Sequence, residues 1–276
     1  MRPTRFVLFA GALISLLCAL ACSGGSTDQG AVTPTPEKTG GPVYSPSGNE
    51  GNIKGSIAFK GTTPDPRKIQ MGSDPVCEQK AQGATFEDML VKDGKLANVF
   101  VYVKSGLPEN TFPAPSTEVV LDQVGCRYVP HVFGLQTNQT LKILNSDATA
   151  HNVHPVPKNN REWNENQYPS APPLMKKFAE PDVLIPIKCN QHSWMKAYAG
   201  VLRHPFFAVS GADGSFAITG LPPGEYEVEA WHEKLGTKVG KVTVKEKADV
   251  DLAFEFDQSA ISQAGSLKVQ PALVVP

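Results

Sequence analysis

From residue 52 onward, short apolar runs alternate with breaks that contain glycine and proline. The runs are rich in β-branched and aromatic residues, and no long stretch follows the 3.6-residue period of an amphipathic helix. The pattern therefore predicts an all-β protein, with loops at Asp65–Gly83 and Lys158–Pro173. The predicted strands are Ile53–Phe59, Val99–Val103, Glu118–Leu121, Arg127–Phe133, Thr140–Leu144, Val183–Ile187, Tyr198–Leu202, Ser215–Thr219, Glu225–Trp231, Lys238–Val244 and Val250–Phe256.

The stretch 211–228 combines two tight turns with a regular alternation of apolar residues. Asp213-Gly214 and Pro222-Pro223-Gly224 are typical turn sequences. This stretch resembles the carboxypeptidase regulatory-like, or transthyretin-like, β-sandwich. The alternating positions that we expect to face inward are Phe216, Ile218, Tyr226 and Val228.

The resemblance bears on the domain organisation, because such sandwiches begin with two earlier strands. Sequences that match those strands occur far upstream, at residues 53–59 and 96–103. We therefore expect a discontinuous sandwich made of 51–104 with 205–257, a second β-domain inserted at 105–204, and a C-terminal tail at 258–276. The alternative is two sequential domains that meet near residue 204.

The region 140–203 contains the residues that indicate chemistry. Cys189-Asn-Gln-His192-Ser-Trp-Met195 has the spacing C-x2-H-x2-M between two predicted strands, and His151-Asn-Val-His154 lies upstream. A thiolate, imidazoles and a thioether together suit copper that cycles between Cu(I) and Cu(II). Only one histidine of the upstream pair can reach such a site easily, because residues 151 and 154 face opposite sides of an extended segment.

These motifs resemble the small blue-copper proteins called cupredoxins, and amicyanin-like ones in particular. The resemblance implies a Greek-key β-sandwich with one type 1 copper ion, held by His151, Cys189, His192 and Met195. It selects His151 over His154, and it implies that Asn152 steadies the cysteine sulfur and the ligand loop. Taken singly, each of these residues also fits an ordinary structural role; their joint occurrence carries the prediction.

The residues around the cysteine limit the kind of copper protein. Multicopper oxidases and related reductases have histidines on both sides of this cysteine, whereas Lys188 and Asn190 flank Cys189. A dinuclear copper-A centre needs two cysteines on the loop, and this loop has one. Since the chain has no Gly-x-Ser-x-Gly, no His-Glu-x-x-His and no phosphate-binding glycine loop, the sequence predicts an electron carrier and not an enzyme. A copper-storage protein or metallochaperone and a carbohydrate-binding or surface-binding module are the alternatives.

The N-terminal residues predict export. Arg2 and Arg5 precede an apolar run over 6–21 that suits a secretory signal. Ala19-Leu20-Ala21-Cys22 resembles a bacterial lipobox, which implies a signal peptide at 1–22, a lipid on Cys22 and a location in the cell envelope at the outer membrane. Cleavage without lipidation and an uncleaved anchor are the alternatives. Residues 23–50 are rich in Gly, Ser, Thr and Pro, so we expect a flexible linker there.

The remaining cysteines, histidines and charges add fewer constraints. Outside the signal, three cysteines remain, and in an oxidising compartment Cys77 and Cys126 could pair and leave Cys189 for the metal. The other histidines, at positions 131, 204 and 232, lack a partner at ligand spacing and suggest packing at the surface or between domains. The 26 basic and 27 acidic residues give a formal net charge of −1, which predicts no nucleic-acid partner. We expect a redox protein as partner and membrane attachment only through the lipid.

Overall fold

The computed structural model describes residues 41–258, and the predicted signal peptide with Cys22 lies outside them. Three consecutive sections of this chain form eighteen strands and one short helix. The first section contains β1 (Gly51–Lys60), α1 (Pro75–Lys80), β2 (Val91–Lys92), β3 (Lys95–Leu96) and β4 (Phe100–Ser105). The middle section contains β5 (Val119–Gln123), β6 (Tyr128–Val129), β7 (Val132–Gln136), β8 (Leu141–Asn145), β9 (His151–Pro155), β10 (Glu165–Gln167), β11 (Leu174–Lys176), β12 (Asp182–Lys188) and β13 (Lys196–Leu202). The last section contains β14 (Phe207–Val209), β15 (Ser215–Leu221), β16 (Gly224–His232), β17 (Gly236–Val244) and β18 (Asp249–Asp257).

The first and last sections together form one pair of sheets, which we call the split sandwich. One sheet has the order β15-β1-β3-β2 with β18 parallel to β1, and the other has the order β14-β4-β16-β17. Both sheets contribute to one apolar core, in which the predicted inward positions Phe216, Ile218, Tyr226 and Val228 are buried. Because its strands come from both ends of the described chain, residue 204 does not separate two sequential sandwiches.

The middle section forms the second pair of sheets, which we call the central sandwich. Its sheets have the orders β10-β9-β12-β13-β7 and β11-β8-β5-β6, and they share a second core. The prediction of an all-β protein is therefore confirmed. In the described part of the chain, no helix is long and apolar enough to cross a membrane.

The two sandwiches pack against each other through a third apolar cluster. Phe100 and Phe207 of the split sandwich stack on each other and face β7 and β13 of the central sandwich. The opposing strands carry Gly134 and Gly200, where an added Cβ would lie within 2.3 Å and 2.2 Å of these phenylalanine rings. Glycine at both positions thus lets the sheets approach closely.

The structure adds the short strands β2, β3, β11 and β14 to those predicted, and it divides or fills three predicted segments. Arg127–Phe133, predicted as one strand, is divided into β6 and β7, because Pro130 has no N–H to donate to a ladder. The predicted loop Asp65–Gly83 contains α1, which begins at Pro75 and is capped by Asp74. The predicted loop Lys158–Pro173 contains β10.

The predicted linker also ends earlier than its composition indicates. Composition alone assigns residues 23–50 to a flexible linker, but Val43 forms a β-bridge with Thr111. The ring of Tyr44 packs on Phe112 and Phe206. Backbone hydrogen bonds with Thr111 and the packed ring of Tyr44 therefore bind residues 43–44 to the split sandwich.

Candidate metal centre

A short loop between β12 and β13 carries Cys189, His192 and Met195. The two strands are antiparallel neighbours, so the loop must reverse direction within a few residues. It does so through hydrogen bonds from the Met195 amide to the His192 carbonyl, at 2.9 Å, and from the Cys189 amide to the Met195 carbonyl, at 3.3 Å. All three residues are at most 4% exposed. The loop therefore delivers a thiol, an imidazole and a thioether to one buried end of the central sandwich.

His151 comes to the same place from the neighbouring strand. β9 pairs with β12 on the side opposite β13, and His151, the first residue of β9, is fully buried. Its Nδ1 lies 2.9 Å from the Nδ1 of His192, and the Cys189 sulfur lies 3.8 Å from that same His192 atom. The ligand atoms of the three residues all lie within 4.8 Å of one another. This donor set can bind one soft or borderline metal ion.

The second upstream histidine is not part of this cluster. His154 pairs in register with Lys188 on β12, and its ring contacts Asn190 Oδ1 at 3.1 Å and Glu162 Oε1 at 2.5 Å. Alternation along β9 separates its side chain from that of His151. The structure thus places His151, and not His154, beside Cys189.

Asn152 holds the cysteine and the start of the loop. Its side-chain oxygen accepts hydrogen bonds from the Cys189 sulfur, at 3.2 Å, and from the Asn190 amide, at 2.7 Å. Its amide group donates to Asn164, and the hydroxyl of Tyr128 donates to its main-chain oxygen. These contacts fix the Cys189 sulfur in both position and orientation.

Two carboxylates that the sequence analysis did not identify hold the outer nitrogens of the histidines. The Nε2 of His151 lies 2.9 Å from Asp147 Oδ2, and the Nε2 of His192 lies 3.1 Å from Asp74 Oδ2. A carboxylate on the outer nitrogen fixes the tautomer in which Nδ1 is free to bind a metal. Asp147 lies only four residues before His151, so the sequence alone could have suggested that these two side chains are in contact. Asp74 lies 118 positions from His192 in the chain and gives none.

These contacts shift the pKa values of the cluster in the metal-free protein. Burial lowers the pKa of His151, but the hydrogen bond with Asp147 and the interaction with Cys189 outweigh burial and raise the pKa to about 9. Burial and the charge of His151 both lower the pKa of His192, although Asp74 opposes them. Burial raises the pKa of the Cys189 thiol. The hydrogen bonds with His151 and nearby amides lower this pKa by more than burial raises it, so the net shift is downward. The two pKa shifts, upward for His151 and downward for Cys189, run in the direction of a thiolate beside a histidinium, whose proton a metal cation would replace.

A disulfide covers the outer side of the two histidines. Cys77, three residues after Asp74, is bonded to Cys126, which follows β5 of the central sandwich. Both cysteines are fully buried. The indole nitrogen of Trp194, in the ligand loop, donates to the Cys126 carbonyl at 3.0 Å. The disulfide thus ties the first section of the chain to the central sandwich directly beside the cluster.

The remaining histidines lie away from this cluster. His131 bonds with Glu233 and so links the central sandwich to the split sandwich. His204 packs on Phe206, and His232 is buried in the split sandwich.

Comparisons with known proteins give matches among solved structures alone. No protein-family profile matches the chain, and no curated protein matches it. A copper-containing nitrite reductase from Thermus scotoductus SA-01 is 17% identical, with a TM-score of 0.29, over 31% of this chain and 22% of that one. A purple cupredoxin from Nitrosopumilus maritimus is 16% identical, with a TM-score of 0.26, over 30% of this chain and 98% of that one. An oxidised amicyanin variant is 19% identical, with a TM-score of 0.28, over 37% of this chain and 97% of that one. At TM-scores below 0.5 these likenesses carry no functional argument, and the chemistry of the site follows from its own residues.

Proposed function

We propose that the chain binds one type 1 copper ion at His151, Cys189, His192 and Met195 and acts as a one-electron carrier. The observation that carries this proposal is the convergence of two Nδ1 atoms and one buried cysteine sulfur at a single point. Copper held by a thiolate and two imidazoles, with a weak thioether ligand, supplies a one-electron couple with little change of geometry. The residues at the site fit that ion.

Each residue has a defined task in this proposal. Cys189 provides the thiolate, and the downward shift of its pKa favours the charged form that binds metal. Asp147 and Asp74 hold the two imidazoles by their outer nitrogens, so that the donor positions change little between oxidation states. Asn152 holds the sulfur and the Asn190 amide.

Burial supports a carrier over a storage protein or a metallochaperone. His151, Cys189, His192 and Met195 are 0%, 3%, 4% and 1% exposed, and a disulfide-linked segment covers the histidines. A protein that passes metal ions to a partner needs accessible ligands, whereas electron transfer requires no access of the partner to the metal. The same low exposure favours a carrier over an enzyme, whose substrate would need to reach the metal.

The cellular setting is part of the same proposal. A lipid on Cys22 would attach the protein to the outer membrane, and the linker would let it reach a redox protein in the cell envelope. The split sandwich, whose turns resemble the transthyretin-like fold, would support the central sandwich. A stable disulfide between Cys77 and Cys126 is consistent with an oxidising compartment.

The visible absorption and electron-paramagnetic spectra of the copper-loaded protein test this function. We expect an intense thiolate-to-copper charge-transfer band in the Cu(II) form, which ascorbate bleaches, and one copper ion per chain. The matched control, Cys189→Ser, keeps both histidines and should lose the band. A Cu(II) form of the unsubstituted chain without this band would exclude a type 1 centre.

A further inference from the structure

The outer nitrogens of His151 and His192 lie among a second set of potential metal ligands. The ligand atoms of Asp74, Cys77 and His192 lie within 4.8 Å of one another, and so do those of Cys126, Asp147 and His151. Cys77 and Cys126 are bonded to each other, so the two groups are adjacent. The two groups therefore adjoin each other on the Nε2 side of the two histidines.

The state of the two cysteines determines what this second cluster can bind. The sulfurs of a disulfide are weak metal ligands, whereas thiolates are strong ones. Reduction by a dithiol or a phosphine supplies two electrons, breaks the S–S bond and adds one proton to each sulfur. A metal ion that binds afterwards displaces both thiol protons into the solvent, and the Nε2 proton of each coordinating imidazole moves to Nδ1.

We propose that, in the reduced protein, Cys77, Cys126 and the outer nitrogens of His151 and His192 form a second metal site for a thiophilic divalent cation such as Zn²⁺ or Cd²⁺. The disulfide masks this site in the oxidised protein. Each histidine would use Nε2 here, with its ring proton on Nδ1, so this site and the inner site are alternatives for the same imidazoles. The proposal rests on the positions of these residues and does not depend on copper at the inner site.

The distances suit such a site after a small rearrangement. Zinc bonds to sulfur at about 2.3 Å and to nitrogen at about 2.0–2.1 Å, so ligand atoms around a tetrahedral ion lie roughly 3.3–3.8 Å apart. The present separations within each group are at most 4.8 Å. The two sulfurs need to move apart once their bond is broken, and both histidines need to exchange a carboxylate for the metal.

Charge also favours the cation. Near the two sulfurs, the carboxylate of Asp147 is buried and that of Asp74 is partly shielded, with side chains 1% and 16% exposed. Reduction and metal binding would add two thiolates to them, and a divalent cation offsets this concentration of negative charge. Without the metal, the carboxylates and the histidines remain paired as they are in the oxidised protein.

Cd²⁺ titration of the metal-free Cys189→Ser chain tests this proposal, because that background lacks the inner thiolate. We expect the phosphine-reduced chain to bind one additional Cd²⁺ with ultraviolet thiolate-to-metal absorption, and the oxidised chain to show no such absorption. The control adds Cys77→Ser and Cys126→Ser; it keeps the two N-terminal cysteines and should show no additional thiolate-bound Cd²⁺. Circular dichroism of each sample reports whether the β-structure is retained.

Histidine substitutions in the same background separate this site from binding by the thiols alone. His151→Gln with His192→Gln should weaken the additional Cd²⁺ by roughly tenfold or more, since two of four ligands are lost. Unchanged Cd²⁺ affinity in that variant would overturn the proposal. The proposal would also be wrong if the reduced chain showed no thiolate-to-Cd²⁺ absorption, or showed it only in samples that had lost their β-structure. None of these results affects the blue-copper test, which uses the oxidised chain with Cys189 intact.

Discussion

His232 in the split sandwich and His151 in the central sandwich are both enclosed, at 1% and 0% exposure. The Nε2 of His232 has no hydrogen-bond partner within the described structure, and burial lowers its pKa to about 4. His151 experiences the same effect of burial, but Asp147 and Cys189 reverse it and raise the pKa to about 9. Burial without a hydrogen-bonded carboxylate therefore favours a neutral histidine, whereas a hydrogen-bonded carboxylate favours the charged one.

The two cores also differ in how many polar side chains they bury. The split sandwich buries an almost entirely apolar set of side chains between its sheets. The central sandwich has an apolar core as well, but one end of it holds Asp147, His151, Asn152, Cys189 and His192. Buried polar groups of this kind cost stability unless each is paired. The comparison suggests that one sandwich contributes mainly stability and the other contributes the chemistry.

Removal of a large apolar side chain from the split sandwich should have the largest effect on stability. Phe256 is fully buried, and Phe256→Ala should lower the free energy of unfolding by about 3–5 kcal/mol, because it leaves a cavity. Urea denaturation measures this change. Val239→Ala, at a position 50% exposed, is the control and should change stability by less than about 0.5 kcal/mol. If folded Phe256→Ala also lost most of its copper affinity, the division of tasks between the sandwiches would be wrong.

Loss of the outer carboxylate on His192 should affect metal binding more than folding. Asp74→Asn keeps the size of the side chain but removes its charge, and we expect copper affinity to fall about 10–100-fold, or roughly 1.4–2.7 kcal/mol. Competition with a chelator of known affinity measures this loss. Asp65→Asn removes the same charge from an exposed position in the same segment. Equal effects of the two substitutions would mean that Asp74 acts only through its charge at a distance.

The role of Asp74 also shows where prediction from the sequence ended. Cys189, His192 and Met195 could be predicted as a group because one short loop carries them. The prediction of His151 as a ligand also needed the resemblance to a family, because alternation along a strand excludes one of the two histidines without saying which. Asp74 lies in a segment that pattern analysis assigned to a loop, and its contact with His192 depends on how two distant parts of the chain pack. Long strands such as β16 and β18 were predicted because their alternation is regular, whereas β2 and β3 are too short to show any period.

His232, whose Nε2 lacks a hydrogen-bond partner in the described structure, predicts how stability depends on pH. The pKa of His232 is about 4 in the folded protein and about 6.5 in the unfolded chain, so only the unfolded chain gains a proton as pH falls between these values. Stability should therefore decrease from pH 6.5 towards pH 4, by up to about 1.36 kcal/mol per pH unit for this group. Urea denaturation of the metal-free protein across this range should show a smaller slope for His232→Met. A slope that His232→Met leaves unchanged would mean that other groups, such as His204 with its pKa of about 4, account for all of it.

The smallest effect is expected at the histidine that resembles a ligand only in the sequence. His154 contacts Glu162, whose side chain is 55% exposed, and such pairs contribute about 0.2–1 kcal/mol. His154→Ala should therefore lower stability by no more than that and leave the charge-transfer band of the copper protein unchanged. His151→Ala, at a residue of the same type three positions away, should abolish the band, because it removes a donor within 2.9 Å of His192 Nδ1. The opposite result, with the band lost in His154→Ala and kept in His151→Ala, would mean that His151 pairs with Asp147 for a structural reason only. The contrast between His151 and His232 would then have no bearing on metal binding.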